Sequence, residues 1–249
     1  MNSTDISGIQ KLRNYLSLIK FSHTVFALPF ACIGAVLGFL ELQHTGQQHP
    51  AQWILLTGGK ILLCMVFARS SAMSFNRYLD RHFDALNPRT AVREIPAGII
   101  KPQQALIFTI VNSLLFVTTT WFINPACFYL SFVALFVVLF YSYTKRFTAL
   151  CHLVLGVGLS LSPIGAYLAV TGYFAWLPLM FSFSVVTWVS GFDIIYALQD
   201  EAFDRSQKLH SIPAAIGTRN ALMVSTLLHV FSACFVIGAG VVGDRKSVV

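Results

Sequence analysis

Long runs of apolar residues dominate the chain, and polar residues fall in short stretches between them. A helix needs about 20 mostly apolar residues to cross roughly 30 Å of hydrocarbon, and seven runs qualify. They are residues 16–42, 53–75, 105–123, 127–143, 150–170, 174–198 and 221–242. The alternation typical of membrane-spanning strands is absent, so backbone hydrogen bonds must be satisfied within helices. The pattern predicts an all-α, multi-pass transmembrane helical bundle.

The composition agrees with this pattern. The chain is 56% hydrophobic and 11% charged, whereas soluble domains are about 25% charged. The first apolar run is too long for a signal peptide, contains Pro29 and lacks a cleavage pattern, so we expect it to be retained. Cysteines and histidines are scattered singly, without the spacing of a zinc site or a disulfide framework.

Basic residues collect in alternate connections of the predicted bundle. They precede the first span and follow the second, fourth and sixth, whereas residues 43–50, 124–125 and 171–173 contain no Lys or Arg. By the positive-inside rule, the N-terminus and the basic connections are expected to be cytoplasmic. The net charge of +7 then reflects topology, and it gives no reason to expect a nucleic-acid partner.

Acidic residues are concentrated in two of these predicted cytoplasmic regions. Asn76, Asp80 and Asp84 follow the second span at intervals of four residues. Residues four apart lie on one face of a helix, where like charges repel each other. Tyr196, Asp200 and Asp204 repeat the spacing after the sixth span, with Asp193 one turn further into the membrane.

A magnesium ion would offset this repulsion, because Mg²⁺ prefers oxygen ligands and is usually held by carboxylates together with substrate phosphates. Arginine and lysine could bind the remaining phosphate oxygens. The two ladders of acids therefore predict a shared site for Mg²⁺ and a diphosphate. The alternative is that each acid is a solvated residue at the membrane surface.

Several sequence motifs resemble the UbiA superfamily of intramembrane aromatic prenyltransferases, in particular its 4-hydroxybenzoate polyprenyltransferase branch. They are "NRYLDRHFDALNPRT", "REIPAG", "YSYTKR" and "DIIYALQDEAFDRSQKLHSIPAAIG", with further similarity in "IKFSHTVFALPFA". The resemblance extends from about Leu18 to Gly217. It implies nine transmembrane helices around a central cavity, with both acidic motifs at its cytoplasmic mouth.

Two features depart from the family pattern. The chain has seven predicted spans instead of nine, and its last residues, "GDRKSVV", place Arg245 and Lys246 on the predicted non-cytoplasmic side. We therefore interpret residues 1–249 as one membrane-embedded prenyltransferase domain and expect it to be incomplete at its C-terminus.

The resemblance also implies an activity and a location. The chain is expected to be a Mg²⁺-dependent enzyme of the bacterial inner (cytoplasmic) membrane, in ubiquinone- or menaquinone-type quinone biosynthesis. It would transfer a polyprenyl group from polyprenyl diphosphate to an aromatic acid, 4-hydroxybenzoate, and release diphosphate. A dihydroxynaphthoic acid is the alternative acceptor, because "REIPAG" departs from the usual motif and "DIIYALQDEAFD" resembles a subgroup for which that acceptor is expected. A cation-coupled transporter is the alternative of another class, although it would predict an internal repeat.

Roles for individual residues follow from the resemblance. The predicted metal ligands are Asn76, Asp80 and Asp84 for one ion and Asp200 and Asp204 for the other. The predicted diphosphate contacts are Arg77, Lys145 and Arg146.

Two residues deeper in the membrane are expected to act in catalysis. Arg69 lies two turns before Asn76, at a depth where an arginine usually faces the interior of a bundle. It either binds the acceptor carboxylate or extends to the membrane interface. Asp193 could act as a base.

Three further patterns concern the connection after the second span, the path of the isoprenoid tail and the packing of the fifth span. Pro88 and Pro96 prevent one continuous helix after the second span, and we expect a cap with its own short helix there. Phe132, Phe136 and Phe140 either line a path for the isoprenoid tail or face lipid. Gly156 and its small neighbours predict a close helix approach and a break in the fifth span.

Overall fold

The computed structural model describes residues 8–20 and 24–247, and these residues form helices and connections without any strand. The helices are α1 (Gly8–Leu18), α2 (Thr24–His44), α3 (Ala51–Leu86), α4 (Pro102–Trp121), α5 (Pro125–Thr144), α6 (Cys151–Thr171), α7 (Trp176–Ala197), α8 (Glu201–Ser206) and α9 (Ile212–Ser247). The predicted all-α fold is confirmed.

Seven segments of the described chain are long and apolar enough to cross a membrane. They lie in α2, α3, α4, α5, α6, the α7 and α8 segment, and α9, so the seven predicted spans are confirmed. One predicted boundary was wrong. The first span does not begin at residue 16, because α1 ends at Leu18 and α2 begins at Thr24. The second helix continues past its apolar stretch to Leu86, as the spacing of its acids required, so these acids lie in the helix.

Polar side chains satisfy backbone groups at the ends of three helices. The Asn124 side chain accepts a hydrogen bond from Cys127 N at the start of α5 and donates one to Leu168 O on α6. Lys60 on α3 donates to Phe122 O, 2.7 Å away, just after α4. These contacts matter because the first N–H groups and last carbonyls of a helix have no partner within it.

Small residues let the helices around α6 approach closely. A Cβ atom on Gly34 of α2 would lie 2.0 Å from Pro163 O, and one on Gly156 would lie 2.4 Å from Ser190 Oγ on α7. The predicted close approach is therefore present. The predicted break is wrong, because α6 continues as one helix through Pro163. A proline can be accommodated in a membrane helix when neighbouring groups adjust to the lost hydrogen bond.

The connection between α3 and α4 packs onto α1 as a cap. Ile95 and Ile100 form an apolar cluster with Leu18 and Ala105, and Ser17 Oγ donates to the Glu94 carboxylate. Residues 87–101 form hydrogen-bonded turns without a helix, so the short helix predicted there was wrong. The turns place Asn87, Arg89 and Arg93 beside the acidic residues described below.

The contact between α2 and α6 gives a test of the packing. Gly34→Ala should lower the thermal unfolding temperature in detergent, because the new methyl group would overlap the backbone of Pro163. Overpacking of this kind costs about 1–3 kcal/mol or more. Gly59→Ala is the matched control, since a Cβ there meets nothing within 4 Å. Equal unfolding temperatures for the two variants would contradict this packing.

Candidate active site

The first acidic ladder lies on one continuous helix, as its spacing predicted. Asn76, Asp80 and Asp84 all belong to α3, and Asn76 Nδ2 donates a 2.9 Å hydrogen bond to Asp80 Oδ2. The other carboxylate oxygen of Asp80 lies 3.4 Å from Arg146 Nη2. Asp80 is therefore held between its own helix and Arg146, the second residue after the end of α5.

Asp84 is more deeply buried and pairs with two arginines. Its Oδ1 accepts a 2.7 Å hydrogen bond from Arg93 Nη1, and its Oδ2 lies 4.0 Å from Arg77 Nη1. The side chains of Asp84 and Arg77 are only 8% and 7% exposed. Asp84 Oδ2 is buried without a hydrogen-bond partner, so this carboxylate retains an open ligand position.

The second acidic ladder is not one continuous α-helix, which corrects the sequence prediction. The α-helical part of α7 ends at Ala197, a 3₁₀ turn covers Leu198–Asp200, and α8 begins at Glu201. A 3₁₀ turn has about 3.0 residues per turn instead of 3.6, so it changes the direction of the side chains that follow. Asp200 and Asp204 consequently have different surroundings.

Asp200 faces the cap over residues 87–101. Its Oδ1 accepts 3.0 Å hydrogen bonds from Asn87 Nδ2 and Arg89 Nε, and its Oδ2 pairs with Arg89 Nη2. Arg89 also donates to the Tyr196 hydroxyl at 3.2 Å. The hydrogen bonds to Asp200 raise the pKa of Arg89 above its ordinary value, so its guanidinium stays charged. This contact joins the cap to the second acidic region.

Asp204 is completely buried and faces α5 instead. Lys145 Nζ lies 2.7 Å from Asp204 Oδ1, yet neither carboxylate oxygen accepts a well-aligned hydrogen bond. Lys145 directly precedes Arg146, the partner of Asp80. Two consecutive basic residues just after α5 therefore contact both acidic regions. These contacts bring the regions together at one end of the bundle, and we call this group of four aspartates and their basic partners the mouth.

The carboxylates at this mouth are balanced by basic side chains. Among residues 8–20 and 24–247, no group of three or more His, Cys, Asp or Glu side chains is close enough to hold a metal ion. The donor set nevertheless fits Mg²⁺, because Asp84 Oδ2 and Asp204 Oδ2 are buried carboxylate oxygens without hydrogen-bond partners. Mg²⁺ prefers such ligands. The five predicted metal ligands stay a prediction.

An apolar cavity of about 320 Å³ lies within the bundle, lined by residues of α2 to α6 and by Phe174. It extends along α3 from Ile61 to Met73, one turn before Asn76. Arg69 is the one charged residue among the described residues that line it, and its Nε is buried without a hydrogen-bond partner. Arg69 thus faces the interior of the bundle, and its predicted role in binding the acceptor carboxylate stays a prediction.

The phenylalanine stripe of α5 does not line this cavity. Phe132, Phe136 and Phe140 are 54%, 63% and 38% exposed, and the cavity is lined by other residues of the helix, including Ala134, Val138 and Tyr141. Of the two readings of this stripe, the structure therefore favours contact with lipid.

Asp193 lies apart from the cavity lining. Its Oδ2 is 2.7 Å from Nδ1 of His152, which is buried in the first turn of α6. Sequence reasoning missed His152, because no motif or charged cluster surrounds it in the chain. The one signal in the sequence that could have drawn attention to His152 is its position at the start of the fifth apolar span, shortly after Lys145 and Arg146.

The fold and the site define a multi-pass membrane protein with a mouth of paired acidic and basic residues beside an apolar cavity. The sequence model of the UbiA prenyltransferase family matches residues 26–247. The chain therefore belongs to the UbiA prenyltransferase family.

Individual relatives agree with this assignment. The 4-hydroxybenzoate octaprenyltransferase of Tolumonas auensis is 31% identical over 188 residues, which cover 76% of this chain and 64% of that protein. The chain thus spans less than two thirds of that relative's length. The apo structure of a UbiA homolog from Aeropyrum pernix K1 is 31% identical with a TM-score of 0.78, covering 88% of this chain and 80% of that one.

A more distant neighbour shares the fold. It is a UbiA homolog from Archaeoglobus fulgidus bound to GPP and Mg²⁺, with 20% identity and a TM-score of 0.67. The similarity covers 91% of this chain and 77% of that chain.

The pair between Lys145 and Asp204 gives a stability test of the mouth. Lys145→Met should lower the unfolding temperature, with a loss of up to about 3 kcal/mol, because it leaves a buried carboxylate without its cation. Adding Asp204→Asn should recover at least half of that loss.

Arg205→Met is the matched control for this test. Arg205 pairs with Glu201 but is 54% exposed, and exposed pairs contribute less than about 1 kcal/mol. A double variant no more stable than Lys145→Met alone would contradict the assigned pairing.

Proposed function

We propose that this protein transfers a polyprenyl group from polyprenyl diphosphate to 4-hydroxybenzoate and releases diphosphate, in ubiquinone- or menaquinone-type quinone biosynthesis. The observation that carries the proposal is the adjacency of two features. A mouth that gathers four acidic and several basic residues stands beside an apolar cavity in which Arg69 is the single charged residue of the described lining. A substrate with an anionic head and a long apolar tail matches both.

Mg²⁺ is the cofactor in this proposal, with Asn76, Asp80, Asp84, Asp200 and Asp204 as the residues that would hold it. When bound, the ion would act as a Lewis acid that stabilises the charge of the departing diphosphate. The relatives support this choice, because a UbiA homolog of the same fold binds GPP and Mg²⁺. The buried Oδ2 atoms of Asp84 and Asp204, which have no hydrogen-bond partner, support it independently.

The basic side chains at the mouth would bind the diphosphate directly. Lys145, Arg146 and Arg77 each contact an aspartate of the mouth. A diphosphate would compete with these carboxylates for the same cations, and Mg²⁺ would replace the cations at the carboxylates. The charges of the mouth therefore stay balanced with and without substrate, although the partners change.

The cap would close this mouth. Arg89 and Arg93 lie on it and reach Asp200 and Asp84. Such a cover would exclude water from the cationic carbon that forms when the allylic carbon–oxygen bond breaks.

Arg69 would bind the carboxylate of the acceptor. Its Nε has no hydrogen-bond partner, although it is buried, and a buried unpaired donor is costly unless a ligand satisfies it. A guanidinium binds a carboxylate through two parallel hydrogen bonds, which would fix the orientation of the aromatic ring.

The proposal extends to location and topology. The N-terminus and the mouth would lie on the cytoplasmic side of the bacterial inner membrane, because the basic connections would all be on that side. Residues 1–249 would then act as one membrane-embedded domain.

The activity has a direct test. Purified protein in lipid vesicles with GPP, 4-hydroxybenzoate and Mg²⁺ should yield geranylated acid, identified by mass, and free diphosphate. Chelation with EDTA should stop both products, and Mg²⁺ should restore them. A dihydroxynaphthoic acid in place of 4-hydroxybenzoate tests the alternative acceptor. Absence of any prenylated acid from wild-type protein that remains folded would refute the proposal.

The metal role of the mouth predicts the effect of one substitution. Asp80→Asn should lower turnover at least 100-fold, because an amide is a weaker Mg²⁺ ligand than a carboxylate. Raising the Mg²⁺ concentration should recover part of the loss. Glu41→Gln, which removes an acid at the far end of α2, should retain wild-type turnover. Equal activity of the two variants would contradict the metal site.

The acceptor role of Arg69 predicts a selective defect. Arg69→Met should raise the KM for 4-hydroxybenzoate at least tenfold and leave the KM for GPP within about twofold, because only the acceptor carboxylate loses its partner. Phenol, which lacks the carboxylate, should react equally slowly with both proteins. An unchanged KM for 4-hydroxybenzoate would show that Arg69 has another role.

A further inference from the structure

His152 joins three helices of the bundle, α6, α7 and α9. It is 2% exposed and lies on α6, and its Nδ1 is 2.7 Å from Asp193 Oδ2 on α7. Its Nε2 accepts a 3.3 Å hydrogen bond from the backbone N–H of Ile212, the first residue of α9. Both ring nitrogens are therefore used inside the protein.

The backbone contact determines where the imidazole proton is. A backbone N–H can only donate, so Nε2 must offer its lone pair, and the proton of the neutral ring lies on Nδ1. That proton points at Asp193. The Nδ1–H of His152 therefore donates the hydrogen bond to Asp193 Oδ2.

The contact between α6 and α7 leaves little room for a different arrangement. Ser190 Oγ, three residues before Asp193, donates to the backbone carbonyl of His152 at 3.1 Å. One turn after His152, a Cβ on Gly156 would lie 2.6 Å from Val186 O. The close approach at Gly156 thus sets the positions of the two helices that bring His152 and Asp193 together.

Asp193 has one oxygen held and the other open. Among the residues that the structure describes, His152 is its only hydrogen-bond partner, and its side chain is 31% exposed. Asp193 lies one turn before Tyr196, whose hydroxyl contacts Arg89 of the cap. The Asp193 side chain is therefore partly accessible, one turn away from the tyrosine that contacts the cap.

We propose that His152 is a positioning residue, which orients Asp193 to accept the proton that the aromatic acceptor loses. This inference rests on the proposed function. In the reaction, a carbon–carbon bond forms between ring and prenyl group, and diphosphate leaves with the electron pair of the broken carbon–oxygen bond. The ring carbon then releases one proton, which the free oxygen of Asp193 accepts and passes to water.

Two substitutions at His152 separate the contacts of its two nitrogens. In His152→Asn, the shorter amide reaches the place of Nδ1 and can still donate to Asp193. In His152→Gln, the longer side chain reaches the place of Nε2 and can still accept from Ile212 N–H, but it no longer supports Asp193. The two variants resemble each other in polarity, so each is a control for the other.

The expected result is a difference in turnover. His152→Gln should lower kcat at least tenfold with the KM for GPP within twofold, whereas His152→Asn should keep kcat within about threefold of wild type. The variant Asp193→Asn should lower kcat at least as much as His152→Gln. Adding His152→Gln to Asp193→Asn should cause no further loss, because residues that act as a unit are not additive.

Three outcomes would overturn the proposal. One is wild-type kcat in His152→Gln. Another is a loss of kcat that follows the fall in unfolding temperature equally in the Asn and Gln variants, as a purely structural role would give. The third is additive losses in the double variant. Failure of the proposed function looks different, because wild-type protein would then form no prenylated acid at all.

Discussion

The pairing of buried aspartates with lysine and arginine side chains is the interaction on which the mouth of this protein depends. An ionised carboxylate cannot be removed from water without a partner, because the desolvation penalty is several kcal/mol. Asp84 and Asp204 are almost inaccessible, and their cations come from other segments, namely the cap and the end of α5. Arg89 joins the cap to Asp200 in the same way. The arrangement of α3, α5, α8 and the cap at this end of the bundle is therefore determined largely by charge, whereas close contacts at glycines determine the packing around α6.

Much of this organisation could be predicted from the sequence, because the responsible signals are local. Apolar length identified all seven spans, and the four-residue spacing placed Asn76, Asp80 and Asp84 on one face of one helix. Side-chain depth indicated that Arg69 faces the interior. The motif resemblance identified the family, which the family model and the relatives confirm. Each of these inferences depends on residues within one segment or on ordered motifs.

The features that sequence reasoning missed depend on contacts between distant segments. The four-residue spacing of Asp200 and Asp204 predicted that both lie on one face of a helix. The 3₁₀ turn between α7 and α8 instead directs them to different partners, the cap and the end of α5. Phe132 and its neighbours have the spacing of a lining stripe, yet the rotation of α5 turns them outward. His152 and Asp193 are 41 residues apart in the chain, and only the crossing of α6 and α7 brings them together.

The position of Lys145 and Arg146 restricts how the length of the chain can vary. They follow Thr144, the last residue of α5, without any intervening residue. An insertion or deletion of one residue within α5 would rotate its end by about 100° and move it by about 1.5 Å. Both cations would then leave Asp204 and Asp80 together, although neither would have been substituted. Residues 43–50 are all exposed and carry no such contacts with the mouth, so the same change there would be harmless to it. The rotation of α5 about its own axis is thus as strongly constrained as the identity of the residues at its end.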